Sequence, residues 1–218
     1  MSAGAEIRRP DRFGEPRPPA APRSGMSYRY PVRALHLDPR APSRRWRRIG
    51  PPDRPALELV LVPTRAQFAT AAVESSPVAL LCVGAFGWAA WVDVIPVWVA
   101  VVLGLGLVGL TVLWRWLVSD ASAPVAAGAD WVGTSALWVP LYELTLVEAE
   151  AAQNGDGDDI AGTVALALWH GPETVIVLDM ALLQSNPALW DLVHQGVLAS
   201  IAAGAELTED ARQALRQP

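Results

Sequence analysis

Lysine is absent from this 218-residue chain, and cysteine occurs once, as Cys82. The first absence excludes a phosphate-cradling glycine loop, which needs its lysine. The second excludes an internal disulfide and the usual cysteine-based zinc sites. Cys82 lies in an apolar run and reads as a small buried hydrophobe. The three histidines, His36, His170 and His194, form no pair at metal-ligand spacing, and neither G-x-S-x-G nor H-E-x-x-H occurs. No catalytic residue, metal or cofactor follows from the sequence, and a non-enzymatic role is expected. The first residues are polar and proline-rich, without the apolar core and cleavage site of a secretory signal.

Charge is also missing from one long stretch. Between Ser75 and Trp114 the single charged residue is Asp93. A run of that length exceeds one crossing, since about 20 helical residues span a bilayer core. Asp93 and Pro96 supply a turn, giving helices over 77–92 and 97–118. A proton path through Asp93 is the competing reading of that carboxyl, but its place beside a proline favours the turn. Trp88, Trp91 and Trp98 cluster at the turn, and Trp114, Arg115 and Trp116 mark the far end. Indoles and arginine prefer the headgroup level, so these six are the expected membrane-interface residues. The turn lacks arginine while both flanks carry it, which places both termini in the cytoplasm. The sequence thus predicts a multi-pass protein of the cell membrane, with the lipid bilayer as its first partner.

What is present is unevenly distributed. Residues 1–76 hold 14 arginines against 7 acids, a net +7, and residues 119–218 hold 2 arginines against 14 acids, a net −12. Eleven of the 19 prolines fall within 1–55, a composition that reads as a disordered basic tail. Met26 opens a less repetitive stretch and is an alternative start. Arg44, Arg45, Trp46, Arg47 and Arg48 form the densest basic cluster. It reads as a lipid contact or as a solvated tail that fixes topology, and no nucleic acid is expected. The basic tail is also able to fold back onto the acidic domain. Within the juxtamembrane segment 56–76, the run 57–62 is a strand or an interfacial segment.

After 119 the periodicity changes. Strands are expected over 129–133, 136–141, 143–149, 163–169 and 173–179, from alternation and branched residues. A helix follows, with Asn186 as N-cap and Pro187 at its first position. Leu189, Leu192, Val193, Gly196, Val197, Ser200 and Ile201 form one stripe on it, and Gly204 ends it. Thr208 caps a last short helix. Together these give an antiparallel sheet closed by an amphipathic helix.

Gly128-Ala129-Asp130-Trp131-Val132, then Trp138-Val139-Pro140-Leu141-Tyr142-Glu143-Leu144 leading into Thr145-Leu146-Val147-Glu148, then the hairpin around Gly171 and the closing helix, resemble the bacterial pleckstrin-homology-like domains that sit beside membrane hairpins. The Pro-Leu segment in that family begins the strand after a hairpin. The resemblance covers about 123–204. It implies an α+β membrane protein: a transmembrane helical hairpin over 77–118, then a cytoplasmic acidic domain of that fold over 119–218. The role implied is binding or scaffolding, with no catalytic residue to carry over.

Gly104-Leu105-Gly106-Leu107-Val108-Gly109 matches G-x-G-x-x-G, but in an apolar helix it reads as a packing face, with Gly104, Gly106 and Gly109 facing Ala85 and Ala89 of the first helix or a partner helix. Asp156-Gly157-Asp158-Asp159 lacks the ligand spread of a calcium loop and reads as a solvated hairpin loop. The expected function is a two-pass scaffold with a membrane-protein partner or a second copy of itself. The alternative is an accessory subunit of a larger transporter or membrane enzyme, docked through the hairpin.

Overall fold

The computed structural model describes residues 8–40, 49–63, 96–118, 124–134, 137–153 and 159–216, with single positions between 73 and 92. Among the described residues the order is β1 (Arg33–His36), β2 (Glu58–Leu61), α1 (Val97–Val118), β3 (Val125–Ala127), β4 (Trp131–Gly133), β5 (Trp138–Pro140), β6 (Leu146–Gln153), β7 (Asp159–His170), β8 (Thr174–Asp179), α2 (Met180–Gln184), α3 (Pro187–Ala202), β9 (Glu206–Leu207) and α4 (Glu209–Arg216). Two compact units result: Met1–Leu61 with Ala123–Pro218, and Val62–Ser122.

In the first unit, β1 to β5 form one antiparallel sheet in chain order. Successive strand residues point to opposite faces. Leu57, Leu59, Val60 and Val62 are all buried, so β2 is covered on both faces. Leu59 joins Ile49, Ala56, Ala126 and Trp131 in one apolar cluster. Two glycines make room for the Trp131 indole. A Cβ on Gly50 would lie 2.3 Å from Trp131 Cη2, and one on Gly128 would lie 2.1 Å from Nε1.

A second sheet runs β8-β7-β6-β9, antiparallel except for the β6·β9 pair. On β8, Ile176 and Leu178 are buried while Val177 is 58% exposed, the alternation of a strand with one face on the core. The β7–β8 turn passes through Gly171 at φ +67°. Along α3, Leu189, Leu192, Val193, Gly196, Val197 and Ser200 are buried. Gly196 fits against Leu141, where an added Cβ would come within 2.5 Å of Leu141 Cβ. Ser200 Oγ donates to the Leu141 carbonyl (2.8 Å) and accepts from the Leu144 amide (3.0 Å). The one polar residue of the stripe therefore fastens the helix to the loop after β5. Thr208 Oγ1 accepts from the Ala211 amide at 3.3 Å, capping α4.

The second unit contains α1. Among the described residues, no helix is long and apolar enough to cross a membrane. This corrects the expected transmembrane hairpin, and with it the multi-pass membrane assignment and the α+β membrane fold class. The described fold is α+β, with two sheets where a single sheet was expected. The separate β1–β5 sheet escaped because β1 and β2 lie before the apolar run, far in sequence from their partners in 125–140.

Candidate functional site

Residues 8–24 contain five arginines and five prolines and lie as a strap along the domain. A local turn sets its course. Asp11 Oδ1 accepts from the amides of Phe13 (2.8 Å) and Glu15 (3.0 Å), and the Glu15 amide, with that of Phe13, holds the Asp11 carboxyl below its ordinary pKa. Gly14, at φ +80°, closes the turn against Leu57, whose Cδ1 would lie 2.6 Å from an added Cβ. A left-handed backbone and no room for a side chain both require glycine there.

Before the turn, Arg9 Nη2 donates to Asp130 Oδ2 (3.1 Å), which also accepts from Arg54 Nη1. The Arg9 guanidinium lies 4.9 Å from the centre of the Tyr142 ring. Burial pushes the Tyr142 phenol up to about 12, Arg9 opposing and Asp130 adding.

After the turn, Arg17 reaches Glu58, which is 2% exposed. Glu58 Oε1 accepts from Arg17 Nη1 (3.1 Å) and His36 Nδ1 (2.6 Å), and Oε2 accepts from Asn186 Nδ2 (3.2 Å). A carboxylate has only acceptors, so His36 Nδ1 carries the hydrogen. Nε2, 3.3 Å from Arg17 Nη2, is then the acceptor. Glu58 and His36 face each other directly across β1·β2. A carboxylate taken out of water is tolerated only when paired and fully hydrogen-bonded, and three donors from three separate segments meet that need.

Asn186 uses both ends of its amide. Oδ1 caps α3, accepting from the Ala188 (3.1 Å) and Leu189 (3.3 Å) amides. Nδ2 donates to Glu58 and to the Leu59 carbonyl (3.3 Å). The helix start is thereby tied to β2.

The end of the strap meets α2 and α3. Asp191 Oδ1 accepts from the Ala21 amide (2.8 Å) and lies 3.8 Å from Arg23 Nη2. Trp190 Nε1 donates to the Pro22 carbonyl (2.7 Å). Gln184 Oε1 accepts from the Ser24 amide (3.1 Å) and hydroxyl (2.8 Å). His194 stacks at a tilt on Trp190, with centroids 5.4 Å apart, and burial lowers its pKa. Further along, Tyr28 is pushed up to about 12 by burial and by the nearby Asp179 carboxyl.

The residues singled out from sequence lie elsewhere. On α1, Gly104 is covered, in a stripe with Ala100, Val108 and Thr111, whereas Gly106 and Gly109 have open space over their Cα atoms. Ala85, Trp88, Trp91 and Trp98 are exposed. Trp114, Arg115 and Trp116 belong to the last turns of α1, and their side chains lie outside the described residues, as do Ala89, Asp93 and Arg44, Arg45, Trp46, Arg47 and Arg48. Sequence reasoning missed Glu58, Gln184 and Asp191. Glu58 had a signal: alternation in the run 57–62 puts it on one face with Val60 and Val62, a buried acid in need of donors.

No family model matches the chain, and neither a curated protein nor a solved structure matches it.

Proposed function

We propose that the chain is a non-enzymatic binding or scaffold protein of pleckstrin-homology-like build, whose acidic domain receives extended basic protein segments. One observation carries the reading: three arginines of a single extended segment, Arg9, Arg17 and Arg23, each meet a carboxylate of the remaining unit, on Asp130, Glu58 and Asp191. The net −12 of residues 119–218 favours basic ligands and disfavours anionic ones. Eight strands, β1 to β8, precede the capped helix α3, and strands followed by one closing helix are the order that the family resemblance implies.

The test is competition. An arginine-rich peptide added in excess to the full chain should accelerate hydrogen exchange at the Ala21 and Ser24 amides, and a glutamate-rich peptide of equal length should not. Unchanged exchange with the arginine peptide would count against the reading.

A second reading, docking through α1, is favoured by the exposure of Val97, Trp98, Val101, Leu105, Leu110 and Leu113. Exposed apolar surface of that extent marks an interaction site. The occupant of this reading is a second copy of the chain, approaching over Gly106 and Gly109. Light scattering should return twice the chain mass, and Gly106→Leu with Gly109→Leu should return the single mass. A single mass for the unaltered chain would dismiss it.

A further inference from the structure

The two halves of the strap are held in different ways. From Arg9 to Arg17 the side-chain contacts are ion pairs, which many basic segments could form. From Ala21 to Ser24 the domain binds the backbone itself: Asp191 takes the Ala21 N–H, Trp190 gives its indole N–H to the Pro22 carbonyl, and Gln184 takes the Ser24 N–H. The receiving groups are rigid. Trp190 is 1% exposed and Gln184 is 9% exposed, and Asp191 stands in the first turns of the capped helix α3.

The bound segment suits such a receptor. Pro16, Pro18, Pro19 and Pro22 fix φ and lack N–H groups, and proline-rich chain favours an extended helix with no internal hydrogen bonds. Its carbonyls therefore remain available to an outside donor, and little ordering entropy is lost on binding. Aromatic grooves that recognise proline-rich segments exploit this property. The strap lies at the surface: Pro19, Ala20, Pro22 and Arg23 are exposed, and Ala21 between them is buried.

We propose that Gln184, Trp190 and Asp191 form a receptor for proline- and arginine-rich extended segments of a partner protein, which residues 16–24 occupy in cis as an autoinhibitory strap. This rests on the binding-module reading above and adds the chemistry of the partner. A segment tethered in cis acts at an effective concentration on the order of millimolar, so an incoming segment binds the unaltered chain weakly.

The experiment uses the full chain and a fluorescent peptide with the sequence of residues 15–25. Ala21→Pro removes the N–H that Asp191 receives, and Arg23→Glu replaces attraction to Asp191 by repulsion. Together they loosen the strap and leave Glu58 and its partners intact. The loosened chain should bind the peptide at least tenfold more tightly than the unaltered chain. Adding Trp190→Phe, which keeps the packing and removes the indole donor, should reverse that gain. Replacing Pro16, Pro18, Pro19 and Pro22 of the peptide by alanine should weaken it by a similar factor. If the proline-free peptide binds equally well, the proline receptor is overturned and the basic-segment reading stands. If neither peptide binds a loosened chain whose α3 amides remain protected, both are overturned. A doubled mass at rising concentration, from straps exchanged between copies, would overturn the assignment to a different protein. Should the double substitution unfold the chain, the milder Arg23→Ala with Ser24→Ala gives the same readout.

Discussion

Aspartate and asparagine are equivalent at most helix N-caps, and Asn186 is expected to break that equivalence. In Asn186→Asp the side-chain oxygen still accepts from the Ala188 and Leu189 amides, so α3 keeps its cap. What disappears is the Nδ2 donor to Glu58 Oε2 at 3.2 Å and to the Leu59 carbonyl at 3.3 Å. A buried acceptor left without a donor costs about 1–3 kcal/mol. The substitution also sets a second carboxylate beside Glu58. At that separation two unit charges repel by about 5 kcal/mol with an effective dielectric constant of about 20, an upper figure because one carboxyl can take up a proton. A net loss of about 3 kcal/mol at pH 7 is expected, shrinking as the solution is acidified toward pH 4. Asn186→Ser keeps a cap oxygen and adds no charge, and should lose less, about 1–2 kcal/mol. Urea unfolding of the full chain, read by hydrogen exchange in peptides covering 57–61 and 186–202, confines the signal to the first unit. An Asn186→Asp chain within about 0.5 kcal/mol of the original at pH 7 would refute the bridge between α3 and β2 and reduce Asn186 to an ordinary cap.

Three further outcomes are expected. Burial holds the His194 pKa below the ordinary histidine value of about 6.5; the unfolded chain then binds the proton more tightly, so stability falls as pH drops below about 6.5, and His194→Gln should flatten that part of the stability–pH curve. Burial raises the Asp179 pKa although two α2 amides oppose it, so its ionisation costs stability as pH rises through the folded pKa; Asp179→Asn, which keeps a cap oxygen, should stabilise the chain at pH 7 and lose that advantage below about pH 4. Gly128→Ala, pressed onto the Trp131 indole, should cost about 1–3 kcal/mol through overpacking, whereas Gly171→Ala, strained only by φ +67° with open space around it, should cost about 1–2 kcal/mol and leave Trp131 fluorescence unmoved; thermal unfolding with emission spectra separates the two.

Legibility followed the range of the interactions. Strands from 129 to 179 carry their alternation locally, and α3 announces itself through Asn186, Pro187 and its apolar stripe, so each appears near its expected bounds. The pairing of β1 and β2 with β3 does not, because Glu58 and Ala127 are register partners separated by the whole second unit. Asn186 illustrates the same limit within one residue: its cap oxygen was readable from the next three positions, and its amide nitrogen was not, since Glu58 and Leu59 lie far upstream. The run from 75 to 114, with Asp93 as its single charge, reports apolarity and says nothing of what covers it, so hydropathy and tryptophan placement together point to a bilayer that the described helices do not fit.

The strap shows how composition and structure part company. Eleven prolines and many arginines in 1–55 read as a disordered tail, yet the segment contributes β1 and the buried Ile49 to the first unit. They do not exclude its laying down on a surface already built, held by polar bonds. The charge asymmetry between the two ends of the chain was visible, yet charge alone does not select which arginine meets which acid. Geometry does: Glu58 is buried and needs cationic donors, so Arg17 is bound to stay, whereas the pairing of Arg23 with Asp191 at 3.8 Å lies at the surface, where ion pairs contribute about 0–1 kcal/mol. Arg17 is therefore held by charge at a buried site, whereas residues 21–24 are held chiefly by neutral and backbone hydrogen bonds to Asp191, Trp190 and Gln184. On the proposed receptor role, a competing segment displaces residues 21–24 from Trp190 while Arg17 stays on Glu58, so the buried carboxylate keeps its partner through the exchange.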